Sequence, residues 1–212
     1  MIEQLALGII GLTSDAITAF MGQYGYVAVF VLMALEAASL PIPSEVVLPL
    51  AGYLGATGEL GIIGSFIAAI AGSILGMTAD YYIAYFIEKD VVYKHLHWFH
   101  IKRENVEAFD AWFNDNGRFT VFISRLLPVV RGLINFPAGF AKMRLRDFYI
   151  YSIAGAAIWT ALLMGLGYYA HGLIDQNVYY LTIALAVFAI ALYALYKYVM
   201  KKILLEIKRN KK

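Results

Sequence analysis

Apolar residues run through this chain in long blocks, and the polar positions that interrupt them mark out the predicted elements. Over residues 1–21, Ile2, Leu5, Ile9, Ala16, Ile17 and Phe20 fall on one side of a helix, while Glu3, Gln4, Ser14 and Asp15 fall largely on another. That pattern predicts an amphipathic helix lying on a membrane surface. From Tyr26 to Leu54 the apolar run is broken by Pro41, Pro43 and Pro49. Proline removes a backbone donor and clashes with the preceding turn, which leaves arms of about 15 and 11 residues, each too short for a crossing of about 20. The run is therefore expected to form a re-entrant hairpin with its tip at Pro41 to Ser44, the alternative being one kinked span.

Gly55 to Gly61 reads as a turn, and Gly64 to Ile87 as a crossing rich in small residues (Ala68, Ala69, Gly72, Ser73, Gly76) that permit close helix contact. Asp80 interrupts it. Residues 88–116 form the one long polar segment, expected to fold as short amphipathic helices at headgroup level. Gly117 to Met143 again places charges inside apolar sequence and again breaks at prolines, Pro128 and Pro137, which predicts a second hairpin. Tyr149 to Ala170 is a further crossing and Tyr179 to Met200 a last one.

These elements make an all-α integral membrane protein with a single membrane domain over residues 1–212. It comprises an amphipathic helix (1–21), a first repeat (26–87), a polar connector (88–116), a second repeat (117–170), a C-terminal transmembrane helix (178–200) and a basic tail (201–212). The repeat rests on matches that recur in the same order. Gly25–Phe30 (GYVAVF) pairs with Gly117–Phe122 (GRFTVF), Ala51-Gly52-Tyr53 with Ala138-Gly139-Phe140, Ile70-Ala71-Gly72 with Ile153-Ala154-Gly155, and Tyr81-Tyr82 with Tyr168-Tyr169. One hairpin and one crossing per half is an odd number of crossings, so the halves are expected to be inverted. Inverted repeats with broken helices recur in transporters, whose sites lie at the midplane where the halves meet.

Composition agrees: 61% of residues are hydrophobic, only 15% are charged, and the mean hydropathy is +0.68, against about 25% charged in globular domains. There are no cysteines, which excludes disulfides and thiolate metal sites. The N-terminal stretch lacks a basic region and carries Glu3, so a cleaved leader is not expected. All 17 Lys and Arg lie after Glu88. The basic tail and the Lys142, Arg144, Arg146 cluster are expected on the cytoplasmic side, and the turns at Gly55–Gly61 and Gly172–Asn177 outside. The chain is thus read as a multi-pass protein of the cell membrane with a cytoplasmic C-terminus.

The candidate chemistry lies in charges that apolar sequence does not need. Each costs roughly 3 kcal/mol at a bilayer centre, so Glu36, Glu45, Arg125 and Arg131 together would cost on the order of 12 kcal/mol without partners. On continuous helices Arg125 and Arg131 would stand about 120° apart and Glu36 and Glu45 about 180° apart. Breaks at Pro41 and Pro43, and at Pro128 with Gly132, let each pair converge. An arginine fork suits phosphate, and buried carboxylates can exchange protons, so Arg125 and Arg131 are expected to hold a phosphate-like anion while Glu36 and Glu45 couple to protons. A purely structural ion-pair cluster is the competing reading. Arg118 lies one heptad before Arg125 and either meets the anion on its way in or snorkels to headgroups. Asp80 is either a structural partner of an arginine or a proton site. His95, His97 and His100 lack a second ligand group at matching spacing, so no metal is expected.

The stretch E-x4-P-I-P-S-E from Glu36 to Glu45, with G-R-F-x5-R-x2-P-x2-R-G from Gly117 to Gly132 and the following F-P-A-G, resembles the DedA family, also described as the SNARE-associated or VTT domain. The resemblance spans about Gly25 to Ala170. It implies two opposed re-entrant hairpins and a role in moving lipids such as undecaprenyl phosphate or a phospholipid across the membrane, dependent on proton-motive force. By motif match, Glu36, Glu45, Arg125 and Arg131 fall on the family's functionally required positions. The expected activity is lipid transport rather than enzyme catalysis, with membrane lipids and protons as partners, no cofactor, no nucleic acid, and room for a homo-oligomer. A proton-coupled transporter of a small ion or solute is the alternative. A membrane phosphatase is disfavoured because no Ser, His and Asp constellation or nucleophile elbow is apparent.

Overall fold

The computed structural model describes residues 16–87, 103–128, 130–174 and 197. The predicted C-terminal crossing and basic tail, residues 1–15 of the amphipathic helix, and the three connector histidines lie outside the described residues. Within them all regular structure is helical: α1 (residues 16–24), α2 (Tyr26–Ala37), α3 (Ser44–Ala56), α4 (Ile62–Phe86), α5 (Arg103–Ser124), α6 (Val130–Leu133), α7 (Asn135–Phe140) and α8 (Leu145–Ile174).

Two of these helices stop where a proline ring would strike the carbonyl one turn back. Helix α2 ends at Ala37, one turn before Pro41, and α5 ends at Ser124, one turn before Pro128. The end of α2 closes in a Schellman motif: Ser39 adopts φ 59°, its N–H donates to the Glu36 carbonyl at 3.1 Å, and the Leu40 N–H donates to the Leu35 carbonyl at 3.1 Å. Pro43 then caps α3 in an extended conformation.

Other prolines behave differently. Pro49, expected to break the chain, lies inside α3. Only the bond to the Glu45 carbonyl is forfeited there, at about 3 kcal/mol, and burial of Val47, Leu48 and Ala51 on the same helix offsets it. Pro137 sits in the first turn of α7, where N–H groups have no partner within the helix. The polar connector also departs from expectation. In place of short helices, α5 runs unbroken from Arg103 through Gly117 to Ser124. Val106, Phe109 and Phe113 recur at helical spacing, and an interior glycine costs only about 1 kcal/mol.

Helices α4 and α8 have 25 and 30 residues, so at 1.5 Å per residue both exceed a hydrocarbon core of about 30 Å. Asp80 does not interrupt α4 but lies within it, buried. Of the most apolar window, only 33% in α4 and 39% in α8 is buried, which is not the covering that the core helix of a soluble protein receives. Ile63, Ile67, Ile83 and Phe86 of α4, and Ile150, Leu162 and Tyr169 of α8, are exposed. Lipid is the solvent that tolerates such a surface.

The described chain gathers into two compact units, each taking part of both long helices: one reaches to Gly76 and resumes at Ala157, and the other runs from Met77 to Ala156. In the first unit α2 packs on α3. Gly72 of α4 lies against the Phe30 carbonyl of α2, while Gly52 of α3 lies against the Met164 carbonyl and Gly167 of α8 against the Pro49 carbonyl, leaving no space for a side chain. In the second unit Gly155 of α8 lies against Phe122 and Arg125, and Gly139 of α7 against the Tyr81 carbonyl of α4. Small residues let helix backbones approach where lipid supplies no hydrophobic drive.

Replacing Gly52 or Gly167 by Leu is expected to destabilise the protein by at least about 1–3 kcal/mol through overpacking. Thermal unfolding in detergent measures this. Gly165→Ala, with no atom within 4 Å of the added carbon, is expected to unfold at or above the wild-type temperature, because alanine favours a helix by about 1 kcal/mol over glycine.

Candidate functional site

The break after α5 carries a buried cation. Arg125 follows the last residue of α5 and is only 5% exposed. Its Nη1 donates to the Arg131 carbonyl at 2.8 Å, and its Nη2 donates to Asn135 Oδ1 at 2.6 Å and Ser152 Oγ at 3.1 Å, with Met77 Sδ at 3.4 Å. The Phe148 ring centroid lies 6.0 Å from the guanidinium carbon, at the outer limit of cation–π attraction. Burying a guanidinium is tolerable only when its donors are used, and here the helix break provides an acceptor, because the short α6 leaves the Arg131 carbonyl for Arg125 to cap.

Asn135 extends this arrangement. Its Nδ2 donates to Asp80 Oδ2 at 3.2 Å, so its amide accepts from a cation at one end and donates to a carboxylate at the other. Only one amide orientation satisfies both. Arg125 and Asp80 are thereby linked across one neutral group within the same unit. Asp80 is thus buried within α4 and accepts from the Asn135 amide. Arg131 is also buried, at 6% exposure, in the second position of α6, directly before Gly132.

The first break carries the acids. Glu36 is half-buried in the last turn of α2, and Glu45 is exposed at the second position of α3, where the partial positive charge of the helix start favours a carboxylate. Between them Ser44 is buried, and its Oγ accepts a long bond of 3.5 Å from Trp159 Nε1, within the same unit. Glu36 and Glu45 thus flank the break at Pro41 and Pro43, and Arg125 and Arg131 flank the break at Pro128.

Arg118 stands apart from this network. It is 59% exposed and its Nη2 bonds Asp147 Oδ2 at 2.9 Å. The hydrogen bond and charge of Asp147 push the Arg118 guanidinium above its already high ordinary pKa, so it stays cationic at any working pH. Sequence reasoning missed Asn135, Ser152 and Asp147. For Asn135 a signal existed, since a lone amide inside the apolar run GLINFPAG must find polar partners if buried.

The sequence profile of the VTT domain matches residues 42–169. The chain is 37% identical over 158 residues to the alkaline phosphatase-like protein of Lactococcus lactis, covering 72% of this chain and 74% of that one. It is 36% identical over 155 residues to undecaprenyl phosphate transporter A of Staphylococcus aureus, covering 71% and 76% respectively. Protein DedA of Escherichia coli is 25% identical over 154 residues, covering 70% of this chain and 69% of that protein. No solved structure matches the chain. With the matched profile taking in Glu45, Asp80, Arg125, Asn135 and Arg131, the chain belongs to the VTT domain family, also called DedA.

Proposed function

We propose that this protein is a membrane transporter that carries a phosphate-bearing lipid, such as undecaprenyl phosphate or a phospholipid, across the bilayer of the cell. The observation that carries this reading is the pair of buried arginines at a broken helix, Arg125 and Arg131, in a chain with relatives named undecaprenyl phosphate transporter A in two bacteria. A planar fork of donors at a helix break matches phosphate oxygens. Arg131 makes the primary contact. Arg125, held by Asn135 and Ser152, fixes the backbone of α6 and adds its charge to the same locus.

In this reading both broken segments are re-entrant hairpins related as an inverted repeat, one carrying the acids Glu36 and Glu45 and the other the arginines Arg125 and Arg131. The glycine contacts support the repeat: Phe30 with Gly72 and Phe122 with Gly155 are contacts in separate units between residues that the sequence comparison pairs. Glu36 and Glu45 take up and release protons as the phosphate arrives and leaves, which couples movement of the headgroup to the proton gradient. The lipid tail stays in the bilayer throughout.

Purified protein reconstituted into liposomes with a polyprenyl phosphate is expected to change the headgroup's accessibility to an outside reagent, faster with a pH gradient than without. Arg131→Ala is expected to slow this at least about tenfold, as loss of a charge-assisted contact does. Wild-type rates in that variant would remove the proposed phosphate contact. Release of inorganic phosphate from the lipid would instead favour the activity in the name of the Lactococcus relative.

Asn135→Ala is expected to leave Arg125 and Asp80 each short of a buried partner and to destabilise the protein by about 1–3 kcal/mol. The same variant should slow transport, whereas Asn135→Gln restores part of both. Thermal unfolding and the liposome assay read the two effects separately.

A further inference from the structure

A cavity of about 490 Å³ opens in the second unit between α5 and the turn joining α7 to α8. Arg118, Lys142 and Arg144 bring three cations to its lining, and Asp115 and Asp147 bring two carboxylates. None of these groups belongs to the Arg125 network.

The level of this cavity is set by the long helices. Helix α4 ends at Phe86 and α8 begins at Leu145, so both apolar segments stop beside it. The Tyr81 hydroxyl donates to the Met143 carbonyl at 2.6 Å, and Lys142 Nζ lies 5.4 Å from the Tyr85 ring centroid. Tyr82, Tyr85 and Phe86 are exposed at this end of α4, the placement expected of aromatic residues at a membrane–water boundary. The cavity therefore opens where lipid headgroups lie, on the side carrying Lys142, Arg144 and Arg146.

Two features make it more than a basic patch. Helix α7 ends in a Schellman motif, with the Lys142 N–H on the Gly139 carbonyl at 2.9 Å and the Met143 N–H on the Ala138 carbonyl at 3.0 Å. Lys142 itself holds φ 49°, at the position where glycine is the easier residue. A lysine is kept there at a conformational cost; the residue lines the cavity, and its ammonium lies over the adjoining Tyr85 ring. The Arg118–Asp147 bridge is the second feature. It is an exposed pair, and such pairs are held weakly. A phosphate, with more charge and three acceptor oxygens, can take Asp147's place on the Arg118 fork.

We infer that this cavity binds the phosphomonoester headgroup of a membrane lipid at the bilayer surface, with Arg118 exchanging Asp147 for phosphate and Lys142 and Arg144 completing the contact. Phe113 and Phe119 supply an apolar wall for the first carbons of the lipid chain. The transport reading bears only on the later passage of that headgroup to Arg131. Binding at the cavity stands without it.

Titration of the full chain in detergent with farnesyl phosphate, and separately with inorganic phosphate, tests the inference. Farnesyl phosphate is expected to saturate one site that Arg118→Ala weakens about tenfold or more. Lys142→Gly is expected to weaken it while unfolding at or above the wild-type temperature, which separates binding from folding. Asp147→Asn is expected to tighten it. Arg131→Ala, even if transport is lost, is expected to retain the Arg118-dependent site. Unchanged binding in both Arg118→Ala and Lys142→Gly, or weaker binding in Asp147→Asn, would overturn the site. Equal affinity for inorganic phosphate would overturn its assignment to a lipid.

Discussion

A guanidinium in an apolar interior must spend its donors on the protein, and the second unit is built around that requirement. Arg125 places its Nη1 and Nη2 donors at the point where Pro128 has ended α5, and the carbonyl that Nη1 caps belongs to Arg131. Its other acceptors come from distant parts of the chain, Asn135 on α7 and Ser152 on α8. Gly155 leaves the space beside α8 in which the Arg125 stem lies. One side chain thus holds the break, two short helices and a long helix in register. Replacing a whole buried ion pair by well-packed apolar residues is often neutral for stability, whereas removing one charged member leaves its partners uncompensated.

The same economy governs the backbone. Lipid gives helices no hydrophobic reason to associate, and glycine at the crossings allows carbonyls and α-carbons to touch instead. The contacts at Gly52 and Gly167 in one unit, and at Gly139 and Gly155 in the other, fall where the broken segments meet the long helices. Rigid long helices then carry short arms whose charged residues sit beside proline breaks. The cavity beside Arg118 has a different character: it is open, carries both signs of charge, and lies at the ends of the apolar segments rather than within them.

Much of this was legible in the sequence for simple reasons. Proline acts locally, one turn back, so the ends of α2 and α5 follow from Pro41 and Pro128. The long apolar runs likewise announce α4 and α8, although α8 extends four residues beyond the predicted limits at each end, and α4 starts two residues early and stops one short, because helix ends are set by caps rather than hydropathy. Pro49 does not break α3, because the cost of one lost hydrogen bond is offset by the packing of Val47, Leu48 and Ala51. Helix α5 crosses the boundary expected at residues 116 and 117, because its apolar residues keep helical spacing through an otherwise polar segment. At the candidate site, the charged residues were visible because apolar sequence makes them anomalous. Asn135 carries a similar anomaly within GLINFPAG, but its role, like that of Asp147, comes from residues far away in the chain, Asp80 and Arg118.

The proposed site stands or falls with its topology, in which the charged residues at Pro41 and Pro43 are carried into the membrane on two short arms that return to the face they came from. The chain has no native cysteine, so single cysteines replacing Gln23, just before α2, and Glu59, just after α3, can be labelled cleanly from either side of the membrane with an impermeant thiol reagent. Both positions are exposed. A hairpin requires that both react from the same face. Reaction from opposite faces would make α2 and α3 one kinked span and contradict the hairpin on which the proposed site is built.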